Sequence, residues 1–121
     1  MSESESLFTR MMNGEVPATV VRETERTFAV RDINPQAPTH VLVVPREPYR
    51  NAAELAAADP GLLAELVRVA GEIAEQDGVA ESGYRLLFNT NADAGQTIFH
   101  VHLHLLGGED LGGMTGGPIK G

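Results

Sequence analysis

The sequence predicts one α+β domain built on an antiparallel sheet, and two features of the chain support this prediction. Short runs rich in β-branched and apolar residues follow one another, and no crossover helix separates most neighbouring runs, which favours antiparallel pairing. A single longer stretch repeats its apolar residues at helical spacing. A chain of 121 residues fits one domain with a sizeable core. We therefore expect a five-stranded antiparallel sheet, one long helix and a short N-terminal helix.

The first third of the chain predicts a tail, a short helix and a hairpin. Residues 1–6 are small, polar and acidic, which predicts a disordered tail. A helix from Leu7 to Asn13 presents one apolar side, and Gly14 is placed to end it. The runs ATVVRET and RTFAVRD, separated by a short polar turn, predict a hairpin. The loop INPQAPT, with its two prolines, then leads to the strand HVLVVP.

The middle of the chain predicts the long helix. Residues 51–58 are alanine-rich and add a helical turn. Asp59 is then a candidate N-cap, and Pro60 suits the first helical position. Apolar residues recur at helical spacing up to about Asp77, and Gly78 is placed as the C-terminal stop.

The last third predicts two strands and a glycine-rich tail. The run YRLLFNT predicts a strand, NADAGQT a loop and IFHVHLHLL the final strand. Seven of the thirteen glycines lie in the last fifteen residues, and such a composition disfavours regular structure. The predicted organisation is therefore a tail over 1–6, a domain over 7–108 and a second tail over 109–121.

Composition excludes several classes of partner. The formal net charge is −8 and the arginines are scattered, so a nucleic-acid polymer or an anionic membrane is not an expected partner. No apolar run approaches the roughly 20 residues that cross a bilayer. The acidic N-terminus lacks the apolar centre of a signal peptide, which predicts a cytoplasmic protein. The absence of cysteine excludes disulfides and thiolate zinc sites.

The final strand contains three of the four histidines, at alternate positions 100, 102 and 104. On a strand these imidazoles share one face, while the apolar residues between them share the other. The apolar face suits packing under the long helix. The histidine face is expected to form a polar site, because a buried imidazole without a partner is costly.

Three interpretations of the histidine row are open on the residues alone. The first is a set of hydrogen-bonded histidines on a solvated face, which is less probable for three in register than for one. The second is a metal site, with His40 as an additional ligand. The third is nucleophilic and acid–base catalysis, since imidazole titrates near neutral pH. The preceding loop supplies backbone N–H groups and the Thr97 hydroxyl, which suit phosphate oxygens.

The histidine row and a second motif together resemble a known family. The run HVHLHLL fits the signature of the histidine triad superfamily, in which histidines alternate with apolar residues. With the upstream DINPQAPTHVLVVP, the chain resembles the Hint branch of nucleoside phosphoramidate hydrolases. The resemblance extends from about Leu7 to Gly108, with the elements in the same order.

The resemblance implies a covalent mechanism. His102 would attack the α-phosphorus of a purine nucleoside 5′-phosphoramidate and expel the amine, and water would then cleave the nucleotidyl-histidine. The backbone carbonyl of His100 would hold the other nitrogen of His102. His104 would contact the phosphate or the leaving group, and His40 would bridge to His100. Because His102 is needed as a free nucleophile, we expect no catalytic metal and no cofactor.

The resemblance also implies residues that bind the nucleotide. Asp32 would accept the ribose hydroxyls, although an aspartate at this position also suits a turn. The loop side would contact phosphate, and apolar residues would surround the purine, although they could equally be ordinary core. The phosphate contacts would be Asn89, Gly95, Gln96 and Thr97, and the purine contacts Leu7, Phe8, Met11 and Ile33.

The Hint resemblance implies a homodimer in which two five-stranded sheets join into one of ten strands. The helix fits this, since it has apolar residues on more than one side, including Val69. The chain has no tryptophan, whereas many relatives end in an aromatic-containing segment that reaches the partner's active site. Dinucleoside polyphosphates and acyl-nucleotides are alternative substrates within the superfamily. A protein that binds purine nucleotides or a metal without turnover is the alternative from another class.

Overall fold

A computed structural model describes residues 5–114 and confirms the predicted α+β class. The five strands form one antiparallel sheet in the order β1-β2-β3-β5-β4. A 3₁₀ turn over Ala92–Ala94 interrupts the loop before the last strand. The elements are α1 Leu7–Met12, β1 Val20–Glu23, β2 Thr27–Arg31, β3 Thr39–Pro45, α2 Ala52–Ala58, α3 Pro60–Gln76, β4 Tyr84–Leu87 and β5 Leu103–Gly107.

The predicted boundaries of the long helix α3 are confirmed. The Asp59 carboxylate accepts the Leu62 N–H at 3.1 Å, and Pro60 is the first helical residue. Asp77 is the C-cap, and Gly78 adopts a φ of 76°, a conformation that costs other residues a steric penalty. The alanine-rich stretch before α3 forms a separate helix, α2, rather than a single turn.

The final strand is shorter than predicted. β5 begins at Leu103, the partner of Val43, so only His104 of the histidine row lies within the ladder. The Val101 N–H instead donates to the Tyr49 carbonyl at 2.7 Å. The Pro45 carbonyl is contacted by the His100 side chain rather than by a strand neighbour. These long-range contacts replace strand pairing before Leu103, so the strand begins late. The alternation of apolar and polar residues along the chain does not reveal such contacts.

The sheet separates two apolar clusters. On one face, residues of β3 and β5 pack against α3, as predicted for the apolar side of the histidine segment. Val69 is fully buried in this cluster, so it does not provide the second apolar side of α3 that the sequence suggested. The other face packs against α1, and its buried cluster consists of Phe8, Phe28, Val30, Leu42 and Val44.

The two predicted tails are partly ordered. Ser6, assigned to the disordered tail, is the N-cap of α1, because its Oγ accepts the Thr9 N–H at 3.1 Å. In the glycine-rich tail, the Arg85 guanidinium donates to the Gly112 carbonyl at 3.1 Å. The remaining tail residues, 1–4 and 115–121, lie outside the described part of the chain. Within the described part, no helix is both long enough and apolar enough to cross a membrane.

Candidate active site

A cavity of about 460 Å³ opens on the sheet face that packs against α1. Its walls come from α1, from the end of β2 and the following loop, and from the segment leading into β5. Of the residues predicted to form the site, eight line this cavity. They are Leu7, Phe8, Met11 and Ile33 among the apolar residues, and Asp32, Thr97, His102 and His104 among the polar ones.

His102 lines the cavity and, as a neutral ring, has one unprotonated nitrogen. Its Nδ1 lies 2.8 Å from the backbone carbonyl of His100, which is the hydrogen bond that the resemblance predicts. Because a carbonyl only accepts, Nδ1 has the proton, and a neutral ring then keeps its lone pair on Nε2. That Nε2 is buried without a hydrogen-bond partner among the described residues. Burial lowers the pKa of His102, which favours the neutral ring that a nucleophile requires.

His104 lines the same cavity and, as a neutral ring, has one N–H without a partner among the described residues. The Gln36 N–H donates to Nδ1 of His40 at 3.1 Å, so a neutral His40 has its proton on Nε2. This Nε2 lies 3.0 Å from Nδ1 of His104 and donates to it. The proton of a neutral His104 is therefore on Nε2, which is buried and has no partner among residues 5–114. Burial, with smaller contributions from the two neighbouring histidines, lowers the pKa of His104 to about 3.

The prediction that His40 bridges to His100 is wrong. In the antiparallel register of β3 and β5, His40 faces Leu106 and Leu42 faces His104. His40 is therefore a diagonal neighbour of His104. His100 lies beyond the end of the ladder, where its Nε2 donates to the Pro45 carbonyl at 2.7 Å. Neither His40 nor His100 lines the cavity, but each contacts a histidine that does: His40 contacts His104, and the His100 carbonyl contacts His102.

Asp32 forms a turn and also lines the cavity. Its Oδ1 accepts the Asn34 N–H at 2.8 Å, the contact of a turn-forming aspartate. Its Oδ2 lies 3.4 Å from Nε2 of His40, and the residue lines the cavity. The neighbouring Arg31 points to the other side, where its guanidinium binds both carboxylate oxygens of Asp77 and lowers the pKa of that carboxyl. This ion pair fixes the end of β2 against α3 and leaves Asp32 at the cavity.

The loop before the histidine row is only partly in the cavity. Thr97 lines it, but Asn89, Gly95 and Gln96 do not. The Gln96 side chain is buried, and its amide oxygen accepts the Asn91 N–H at 2.8 Å. Its amide nitrogen donates to the backbone carbonyls of Arg50 and Ile98. Gln96 therefore holds the loop in shape through its side chain, and a contact between Gln96 and phosphate stays a prediction.

Comparison with known proteins agrees with this geometry. A family model described as HIT domain matches residues 13–111. The chain belongs to the HIT family. Purine nucleoside phosphoramidase from Escherichia coli strain K12 is 43% identical over 110 residues, covering 91% of this chain and 92% of that protein. The family resemblance predicted from the sequence is therefore confirmed.

Solved HIT structures share the fold along nearly the whole chain. A HIT family hydrolase from Clostridium thermocellum has a TM-score of 0.87 at 42% identity, covering 94% of this chain and 98% of that one. A HIT family hydrolase from Legionella pneumophila has a TM-score of 0.85 at 44% identity, covering 89% of this chain and 96% of that one. These likenesses support a hydrolase activity for the present HIT protein.

The HIT site also contains a group of possible metal ligands. One ligand atom each from Asp32, His40 and His104 lie within 4.8 Å of one another. However, a metal binds only to a nitrogen lone pair, and the His40 Nε2 proton occupies the space between the two imidazoles. An ion at this point would break that hydrogen bond and remove the reason for a proton on Nε2 of His104. The hydrogen bond between His40 and His104 and a metal ion at this point therefore exclude each other, and the absence of a catalytic metal stays a prediction.

Among the residues of the HIT site that reasoning from the sequence missed, two hydrogen-bond to the histidines. Ser6 contacts Nδ1 of His100, and its position one residue before a helix is a recognisable N-cap signal. Gln36 sets the tautomer of His40 through its backbone N–H. Every residue except proline has such a group, so no residue type could have identified Gln36.

Proposed function

We propose that this HIT protein hydrolyses purine nucleoside 5′-phosphoramidates through a nucleotidyl intermediate on His102. The observation that supports this most directly is the pairing of an Nε2 lone pair on His102 with an Nε2–H on His104. The two ring centroids are 5.1 Å apart, and both side chains line one cavity. A nucleophile beside a hydrogen-bond donor is what displacement at phosphorus requires. The 43% identity to a purine nucleoside phosphoramidase supports the choice of substrate class.

The proposed reaction has two displacements at phosphorus. In the first, Nε2 of His102 forms a bond to the α-phosphorus and the P–N bond of the substrate breaks. The leaving nitrogen gains a proton from solvent and departs as an amine. In the second, water attacks the phosphorus and releases a proton to solvent while the bond to His102 breaks, which gives the nucleoside monophosphate and restores the neutral imidazole. Two easier steps replace one difficult displacement.

The neighbouring groups have defined tasks in both steps. The His100 carbonyl accepts the Nδ1–H of His102 and stabilises the positive charge that the ring gains when it is bonded to phosphorus. The Nε2–H of His104 donates to a phosphoryl oxygen, where negative charge develops in the transition state. The Thr97 hydroxyl is a further donor on the same wall of the cavity.

Apolar residues of α1 and the loop after β2 form the nucleoside end of the proposed site. Ile33 is 87% exposed and so is available to cover a base, whereas Phe8 is fully buried against His102. Phe8 therefore supports the nucleophile more than it contacts a purine. Asp32 lines the cavity beside His40, and its carboxylate oxygens, which have further lone pairs, would accept a ribose hydroxyl.

We expect Asp32→Asn to raise KM for adenosine 5′-phosphoramidate at least about tenfold, because a hydrogen bond to a charged acceptor is lost. Steady-state kinetics with the ribose substrate and its 2′-deoxy analogue measure this. In wild type the deoxy substrate should be the poorer one, and in the variant the two should become similar. Equal losses for both substrates on mutation would show that Asp32 does not bind the sugar.

Dimerisation along one edge of the sheet is part of the same proposal. Strand β4 ends the sheet at this edge and leaves one side of its backbone without a strand partner among the described residues. Tyr84 on β4 and Val67 on α3 are large, exposed apolar side chains. A second copy placed there would extend the sheet to ten strands. Sedimentation equilibrium tests the dimer by measuring the mass of the particle in solution. A cytoplasmic location stays a prediction.

We expect wild type to release AMP from adenosine 5′-phosphoramidate with the same rate before and after treatment with a chelator. Chromatography of the products measures the release, and dinucleoside polyphosphates and acyl-adenylates are the competing substrates. Higher kcat/KM on either competitor would replace the proposed substrate class. Binding of AMP without turnover of any of them would indicate a nucleotide-binding protein instead. Loss of activity with chelator would show that the metal-free mechanism is wrong.

A further inference from the structure

Ser6 connects the start of α1 to the histidine row. Its Oγ accepts the Thr9 N–H and lies 2.5 Å from Nδ1 of His100. Because Nε2 of His100 donates to the Pro45 carbonyl, a neutral His100 has its lone pair on Nδ1. The Ser6 hydroxyl therefore donates to His100. One side chain both caps a helix and fixes the tautomer of a buried imidazole.

The position of His100 matters because its backbone carbonyl holds the nucleophile. That carbonyl accepts the Nδ1–H of His102 at 2.8 Å. It lies before β5, so pairing between strands does not hold it. The local anchors are the Val101 N–H on the Tyr49 carbonyl and the His100 ring, which is held at both nitrogens. Ser6 supplies one of these few anchors.

We propose that Ser6 is a positioning residue for His102, acting through the ring and the carbonyl of His100. Without the Ser6 hydroxyl, Nδ1 of His100 has no donor, and the Pro45 carbonyl alone restrains the orientation and the tautomer of the ring. The His100 carbonyl then no longer holds the Nδ1–H of His102 in place, and the lone pair on Nε2 of His102 is less well aimed. Because small misplacements of reacting groups lower rates steeply, turnover should fall. The effect on turnover rests on the proposed function, whereas the effect on the imidazole tautomers does not.

Three variants separate this role from helix capping. Ser6→Thr keeps a hydroxyl that both caps and donates. Ser6→Asp keeps an effective cap, but a carboxylate only accepts, so it cannot donate to the lone pair on Nδ1 of a neutral His100. Ser6→Ala removes both functions. Urea unfolding of each full-length variant shows how much stability the cap contributes.

The decisive measurements are kcat and KM for adenosine 5′-phosphoramidate and the ¹⁵N chemical shifts of the imidazoles. We expect kcat to fall about tenfold in Ser6→Ala and Ser6→Asp, with KM nearly unchanged, and to stay near wild type in Ser6→Thr. In wild type and Ser6→Thr the shifts should show His102 protonated at Nδ1 alone, whereas Ser6→Ala should give averaged shifts at His100 and His102.

Two results would overturn the inference. Wild-type kcat in Ser6→Asp with a loss in Ser6→Ala would mean that Ser6 is only a helix cap. Unchanged ¹⁵N shifts of His100 and His102 in Ser6→Ala would mean that the hydroxyl does not set their tautomers. If wild type does not turn over the phosphoramidate, the proposed function fails, and the NMR comparison alone decides the role of Ser6.

Discussion

We expect His102→Ala to lower kcat for adenosine 5′-phosphoramidate by at least about 10,000-fold, because the substitution removes the group that would bond to phosphorus. Neither neighbour can take over this task. Nε2 of His104 has a proton rather than a lone pair, and His100 lies outside the cavity with both ring nitrogens hydrogen-bonded. Single-turnover kinetics followed by mass spectrometry of the acid-quenched enzyme measures both the rate and the covalent adduct.

The matched control for this prediction is Met11→Ala, which removes a comparable volume from another wall of the same cavity. We expect it to change KM and to leave adduct formation intact. AMP binding, measured by calorimetry, should persist in His102→Ala, since most of the cavity wall is unchanged. A variant that keeps more than a small fraction of wild-type kcat, or an adduct on another residue, would assign the nucleophile elsewhere.

Features set by local chemistry could be predicted from the sequence. The start and end of α3 follow from an aspartate before Pro60 and a glycine after Asp77, and each acts on neighbouring backbone groups. The alternation of histidine with apolar residues placed Val101 and Leu105 in the core under α3. The family resemblance then predicted the hydrogen bond between His102 and the carbonyl of His100.

Features set by contacts between distant segments could not be predicted. The start of β5 depends on where the Tyr49 carbonyl meets the Val101 N–H, which no local pattern specifies. The partner of His40 depends on the register of β3 against β5, and a shift of register would have brought it beside a different histidine. The role of Gln96 depends on backbone groups almost fifty residues away, at Arg50, that its buried amide satisfies.

We expect the free energy of unfolding to fall as pH falls from 6.5 towards 4.5, because all four histidines of the chain are buried and burial lowers the pKa of each. In this window the unfolded chain binds more protons at its histidines than the folded chain does. Stability therefore rises with pH and is lost on acidification. Each histidine that stays neutral contributes a slope of about 1.4 kcal/mol per pH unit.

The range from pH 6.5 to 4.5 separates the contribution of the histidines to the pH dependence of stability from that of the carboxylates. Asp77 has a lowered pKa because it is bound by Arg31, so it contributes to acid unfolding only below its unfolded value of about 4. Urea unfolding at fixed protein concentration and several pH values gives the slope. His104→Asn should reduce the slope by the contribution of one histidine, since the pKa of His104 is lowered to about 3. This expectation holds whatever the effect of the substitution on total stability.

A flat stability profile between pH 6.5 and 4.5 would mean that the histidines take up protons in the folded protein. A protonated His40 or His104 would have donors on both nitrogens, and the chain of bonds from the Gln36 N–H through His40 to His104 would be broken. The lone pair on His102 would be lost in the same way. The acid stability of the protein therefore tests the protonation states on which the proposed chemistry depends, independently of any substrate.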